Sequence, residues 1–412
     1  MTGADLPDLR TPVPGPASRA QVDHLARTEC PAITARRARR AAALGVADTD
    51  PVVWDEALGA NVLDVDGNRF VDLTAGFGVA AVGHRHPAVV AAGQAQLARL
   101  PHAMGDAYPD RSRVALLDAL TARAGLPRAI LGLSGSDAVD AALKTARLAT
   151  GRDHVVAFSG GYHGLASGPL AALGYHVRAF REPFAPFLGT HVRLAPYGGA
   201  LPDLSDGAAV VVEPLQGRGG MRAPPDGWLA ELHHRARAQG ALVVHDEIFS
   251  GLGRTGAWLA TELRPDLLCL GKALGGGTPL SACLGTAEVM DAWGASTGEA
   301  IHTQTFLGHP VGCAMALAVL AVVDAERLPE RARVEGSRWA EALARFGPVS
   351  GRGLMLGLHL PDPLRTSRRL LERGWIALPA GERGECLGLT PPLTIDRSLL
   401  DAFVATLGEV EG

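Results

Sequence analysis

The chain has 412 residues, 47% of them hydrophobic and 20% charged, with a formal net charge of -4. That composition supports a large buried core of two or three units and argues against a disordered or nucleic-acid-binding chain, since no basic stripe is present. The arginines Arg36, Arg37, Arg39 and Arg40 read as one solvated helix face. Five widely spaced cysteines, Cys30, Cys269, Cys283, Cys313 and Cys386, form no metal or disulfide pattern. No signal peptide or membrane span is expected, and a cytoplasmic location follows.

In chain order, Pro12, Pro14 and Pro16 predict an extended opening, followed by a helix from about Ser18 to Arg27. Val62–Val65 and Phe70–Leu73 read as short strands around Asp66-Gly67, a dipeptide suited to a tight hairpin. Strands then alternate with amphipathic helices. The strands are 129–133, 154–158, 208–212, 241–245 and 267–270; the helices are 137–149 and 228–239. Such alternation predicts a mostly parallel sheet covered on both faces. Helices over 311–325 and 335–345 and a strand near 354–360 complete the chain. The expected plan is α/β: an N-terminal segment 1–75, a large domain 76–310 and a C-terminal region 311–412, with both chain ends forming a smaller α+β domain.

Ligands of an open parallel sheet bind beyond the carboxyl ends of its strands. After Leu133 comes Ser134-Gly135-Ser136-Asp137, a small-residue turn entering a helix, whose free N–H groups suit a phosphate. Asp137 alone reads as well as a helix cap. After Phe158 comes Gly160-Gly161-Tyr162-His163-Gly164, where backbone can approach something flat, or simply turn. Glu213 and Asp246 end very apolar strands and need partners there: a protonated ring nitrogen, a cap or an ion pair. Lys272 follows another apolar strand and precedes three glycines. Desolvated, it would be a competent amine nucleophile; snorkelling, a surface lysine. Together these groups meet the needs of pyridoxal phosphate (PLP), which requires a phosphate cradle, a ring-nitrogen anion, a stacking face and an amine.

At these residues the chain resembles the class-III aminotransferases of the type I PLP-dependent transferase fold, from about Pro14 to Pro392. The segment Asp246-Glu247-Ile248-Phe249-Ser250-Gly251-Leu252-Gly253-Arg254-Thr255-Gly256, followed by Gly271-Lys272-Ala273, carries the likeness, with Gly83–Pro87, Glu213–Gly217 and His302–Phe306 in support. The resemblance implies that Lys272 forms the Schiff base with PLP and that Asp246 holds the pyridine nitrogen protonated. Gly135 and Ser136 would bind the phosphate, Tyr162 would stack on one ring face beside His163, and Ile248 would pack on the other. Glu213 would lie near the substrate. Thr305 would reach the phosphate of a neighbouring subunit, which implies a homodimer. The reaction implied is ping-pong transfer of an amino group between a small-molecule donor and a keto acceptor. An amino-acid racemase, epimerase or aminomutase could use the same Lys272–Asp246 pair.

The chain departs from the family pattern in three places. Phe249 replaces a frequent Gln, Leu165 replaces an Arg that holds a distal carboxylate, and Gly388 replaces an Arg that holds the α-carboxylate. Arg383 could compensate, or it could be a solvated loop residue; Arg218 and Arg254 could meet an anionic substrate. Arg254 is expected to be structural, and His245 a core histidine.

Overall fold

The computed structural model describes residues 1–31, 51–189, 191–295 and 298–412; the expected arginine face at 36–40 lies outside them. Helix α1 (Pro16–Thr28) starts slightly before its predicted position. A proline in its first turn is pre-set for helix, and the Asp66 carboxylate accepts the N–H groups of Ala17 and Ser18 at 2.7 and 2.8 Å. Asp66 itself stands in the predicted hairpin turn. Strand β1 (Trp54–Leu58) pairs with β2 (Asn61–Asp64), which turns through Gly67 at φ 81° into β3 (Arg69–Asp72).

Helices α2 (Pro87–Arg99) and α3 (Arg111–Ala124) lead into the large sheet. Its strands are β4 (Arg128–Gly132), β5 (His154–Phe158), β6 (Val192–Ala195), β7 (Gly207–Val212), β8 (Leu242–Asp246), β9 (Leu267–Leu270) and β10 (Ser281–Gly285). They lie in the order β4-β10-β9-β8-β7-β5-β6. The run from β6 to β9 is parallel, as the alternating pattern predicts, whereas β10 is antiparallel to both neighbours. Neither β6 nor β10 is predicted by the sequence: both are short, and the small residues of β10 carry no alternation.

Every residue of β7 and β9 is buried, because both sheet faces are covered. Helix α4 (Gly135–Thr150) packs Ala138, Ala142 and Ala146 over Val211, Val244 and Cys269. On the opposite face α5 (Trp228–Gln239) packs Trp228, Leu232 and Ala236 over Phe158, Val210 and Val243. Burying each such side chain contributes roughly 1.5–3 kcal/mol for the larger ones.

Helix α6 (Pro310–Ala325) packs against α2 and α3, placing Cys313, Val319 and Leu320 in one core with Val89, Leu116 and Leu120. The next helix, α7 (Leu328–Leu343), begins earlier than predicted, with a proline in its first turn. Strands β11 (Val349–Arg352) and β12 (Met355–His359), helix α8 (Pro363–Leu371), strands β13 (Trp375–Ile376), β14 (Leu378–Ala380) and β15 (Cys386–Leu389), and helix α9 (Arg397–Glu411) follow. Strands β11-β12-β15-β14 make an antiparallel sheet, and β13 adds parallel to β3, joining the two chain ends. The five cysteines are free, and among the described residues no helix is long and apolar enough to cross a membrane.

Candidate active site

The carboxyl ends of β7, β8 and β9 deliver Glu213, Asp246 and Lys272 to one region. Asp246 is buried and accepts a hydrogen bond from His163 Nδ1 at 2.8 Å and another from Ile248 N at 3.1 Å. Burial works against a charged His163 imidazole, but the Asp246 bond and the fields of Asp246 and Glu213 raise its pKa above the ordinary value. Glu213 is a clamp: its carboxylate accepts from Tyr162 N at 2.8 Å and Gly217 N at 3.0 Å. Burial pushes its pKa up to about 6, with His163 opposing.

Lys272 leaves β9 at φ 44°, in the left-handed region, which turns its side chain away from the strand's course. Its Nζ lies 4.1 Å from the centre of the Phe249 ring. Burial draws the amine down to about 8, against the fields of Asp246 and Glu213 and with those of Arg218 and Arg254. Phe249 fits tightly between glycines: a Cβ on Gly217 would come within 2.1 Å of its ring and one on Gly78 within 2.5 Å. The aromatic that replaces the family's Gln is thus built into the wall and brings no hydrogen-bonding group to the amine.

The first turn of α4 supplies Gly135 and Ser136, whose N–H groups have no intrahelical acceptors. Asp137 serves a capping box: it accepts from Ser134 N and Leu133 N at 2.9 Å, while the Oγ of the N-cap residue Ser134 accepts Asp137 N. Ser136 Oγ accepts Leu165 N at 3.0 Å and so ties this turn to the Tyr162–Gly164 loop. Ile248 packs on Gly135, where a Cβ would lie 2.9 Å from its Cδ1. The structure therefore brings together Gly135, Ser136, Tyr162, His163, Glu213, Asp246, Ile248 and Lys272. Thr305 is exposed, and among the described residues no hydrogen bond joins it to this cluster.

A cavity of about 500 Å³ opens beside Phe249, walled by β1, the Thr74–Phe77 turn, α8 and the strands after it. Arg218 and Gly388 line it; Arg383 does not, and is exposed in the Gly381–Gly384 turn. Trp54, Ser367 and Arg368 also line it and were not legible as site residues, because α8 reads as a polar surface helix until its place is known. Arg254 donates to Leu354 O at 3.2 Å and also to Pro391 O, a structural strut as expected. His245 is buried, its Nε2 2.8 Å from His233 Nε2, and burial draws its pKa down to about 3. Glu247 is engaged locally, accepting from Ser250 Oγ at 2.5 Å and Ala260 N at 2.8 Å.

The pieces fit PLP. A buried anion, an amine of lowered pKa and a capped helix start with free N–H groups share one region, and among the described residues no metal-ligating cluster competes with that reading. The model of the class-III aminotransferases matches residues 44–410. Acetylornithine aminotransferase of Methanopyrus kandleri is 38% identical over 374 residues, covering 87% of this chain and 94% of that protein. The enzyme of that name from Mycobacterium tuberculosis is 37% identical over 373 residues, covering 87% and 91%. Among solved structures, ornithine aminotransferase of Toxoplasma gondii superposes with a TM-score of 0.81 at 30% identity, covering 88% of this chain and 91% of that one. A PLP-bound amine transaminase from an uncultivated Pseudomonas species gives 0.80 at 29%, covering 88% and 95%. The chain belongs to the class-III aminotransferases, PLP-dependent enzymes that move an amino group between a donor and a keto acceptor.

Proposed function

We propose that amino transfer in this chain runs through Lys272 and Asp246; the observation that carries this is their delivery, from β9 and β8, to one buried region with His163 on Asp246. PLP, when bound, supplies an aldehyde for the amine and a ring that accepts the electron pair left at Cα. Lys272 Nζ would hold the cofactor, and as a free amine it would take the proton from the substrate Cα. Asp246 holds a proton at the ring nitrogen and so keeps that electron sink positive; His163, bonded to its other face, fixes the carboxylate's orientation. The α4 N-terminus at Gly135 and Ser136 holds the phosphate. Tyr162 and Ile248 bound the ring, and Glu213 fixes the Tyr162 loop.

An amino donor supplied without acceptor should convert bound PLP stoichiometrically to pyridoxamine phosphate, followed as loss of the aldehyde-form absorbance. Racemisation of the donor with the absorbance intact would refute amino transfer as the outcome at this site.

The homodimer belongs to the same proposal. The 100–108 and 301–307 segments meet through a His102–Phe306 ring contact and the Thr303–Asp106 hydrogen bond, and expose Met104, Tyr108, Ile301 and Phe306 around Thr305. An exposed apolar patch of this kind suits a subunit interface that would carry Thr305 to the partner's phosphate. Sedimentation at twice the 42.8 kDa chain mass is expected, and a monomer would remove this part. Five free cysteines support a reducing cytoplasmic setting, and the joined chain ends support a small domain beside the large sheet.

A further inference from the structure

The cavity beside Phe249 is unusual in its charge. Its wall is mostly apolar, with Trp54, Met221, Leu364, Ile376 and Leu378 contributing; Arg218 and Arg368 line it, and among the described residues no Asp or Glu does. The strand facing the cleft at β15 offers no charge: a Cβ on Gly388 would lie 3.2 Å from both Met221 Cε and Ala380 Cβ, so this position is packed by apolar groups. Arg218 enters the same cavity from the turn after β7. Its guanidinium carbon stands 4.2 Å over the Tyr162 ring, and its carbonyl is held by Gly381 N at 2.9 Å. Among the described residues no carboxylate pairs with it, and it is close enough to Lys272 for its charge to act on Nζ. A guanidinium stacked on an aromatic, in a mostly apolar pocket and with no acid partner, is poised for a carboxylate brought by a ligand.

We propose that Arg218 receives the substrate carboxylate and that the substrate is an amino acid, or its keto acid, with an apolar, uncharged side chain lodged in this cavity. The proposal rests on Lys272 being the reacting amine; its Nζ lies over the ring of Phe249, which lines this cavity. Stacking on Tyr162 keeps the guanidinium planar to the cavity at little entropic loss, so both parallel N–H donors can meet one carboxylate. Met221, Ile376 and Leu378 then take the hydrocarbon body, and an ammonium at the far end would be desolvated with no acid among the described lining residues to pair with it. The relatives whose names refer to ornithine and acetylornithine thus share the reaction class with this chain, and the substrate body differs.

The test uses the PLP-loaded enzyme and isothermal titration with hexanoate and with 1-hexanol. Neither ligand has an amine, so binding does not depend on transfer chemistry; the donor-conversion experiment reports on that separately. The wild type should bind hexanoate at least about tenfold more tightly than hexanol, the scale of one charge-assisted hydrogen-bonded pair. R218L should remove that preference while hexanol affinity stays. R218K, which keeps a point charge without the fork, should retain part of it, and thermal melts of both variants confirm folding. Equal affinity of the two ligands for the wild type overturns the proposal. So does a preference that survives in R218L, or one that disappears in R368L and persists in R218L.

Discussion

Replacing Lys272 with alanine should lower multiple-turnover amino transfer by at least about 10⁴-fold, the upper range for removing a group that acts as both nucleophile and base. The reason is the lack of a substitute. The chain has two lysines, and the other, Lys144, lies on α4 in an ion pair with Asp140 at 2.8 Å. Lys272 is therefore the one lysine placed to supply the amine at this site. The fold should tolerate the change, because Lys272 makes few polar contacts and its partly buried amine is disfavoured when charged. Thermal melts should therefore stay within a few degrees of wild type while steady-state turnover disappears. Turnover by Lys272→Ala within tenfold of wild type would remove Lys272 from the chemistry.

Asp246→Asn should reduce kcat by about 10²- to 10³-fold, the usual loss when one preorganised charge is removed from a buried site. Asparagine keeps the shape and can still accept the Ile248 N–H, so packing survives. What disappears is the anion that holds a proton at the cofactor ring and keeps the His163 pKa raised. Above the unperturbed His pKa, the variant's imidazole is then neutral, and the contact between the new side-chain amide and His163 becomes an ordinary hydrogen bond. Because the lesion is in the electron sink, substrate KM should change little. A variant with unchanged kcat and a raised KM would place Asp246 in substrate binding instead.

How much of this was legible from residues varies with the kind of signal. The parallel strands were legible because burial on both faces makes them near-continuous apolar runs, as in Ala208–Val212 and Leu267–Leu270. Strand β10 was not, since Ser281-Ala282-Cys283-Leu284-Gly285 has neither alternation nor bulk, and tertiary pairing with β4 and β9 makes it a strand. Among site residues, those at strand ends announced themselves by cost: a carboxylate or an amine after an apolar run needs an explanation. Asp137 has two readings, and the Ser134–Asp137 hydrogen bonds decide for the cap. The cavity wall from α8 carried no local signal, because Ser367 and Arg368 lie in a polar stretch, distant in sequence from Glu213, Asp246 and Lys272. Phe249 reads as a departure from the family pattern, but its contact with Lys272 needs the fold.

Lys272 is proposed to provide the amine that meets the cofactor. Apoenzyme mixed with PLP and reduced with borohydride at a series of pH values, then mapped by peptide mass, tests it directly. An amine drawn down to about 8 is mostly unprotonated above that pH, whereas an ordinary lysine would need pH above its usual 10.5. The phosphopyridoxyl group should therefore appear on Lys272, half-maximally near pH 8, with Lys144 unmodified. Label on Lys144 or the amino terminus alone, or modification of Lys272 that rises only above about pH 10, the ordinary lysine range, would contradict the assignment.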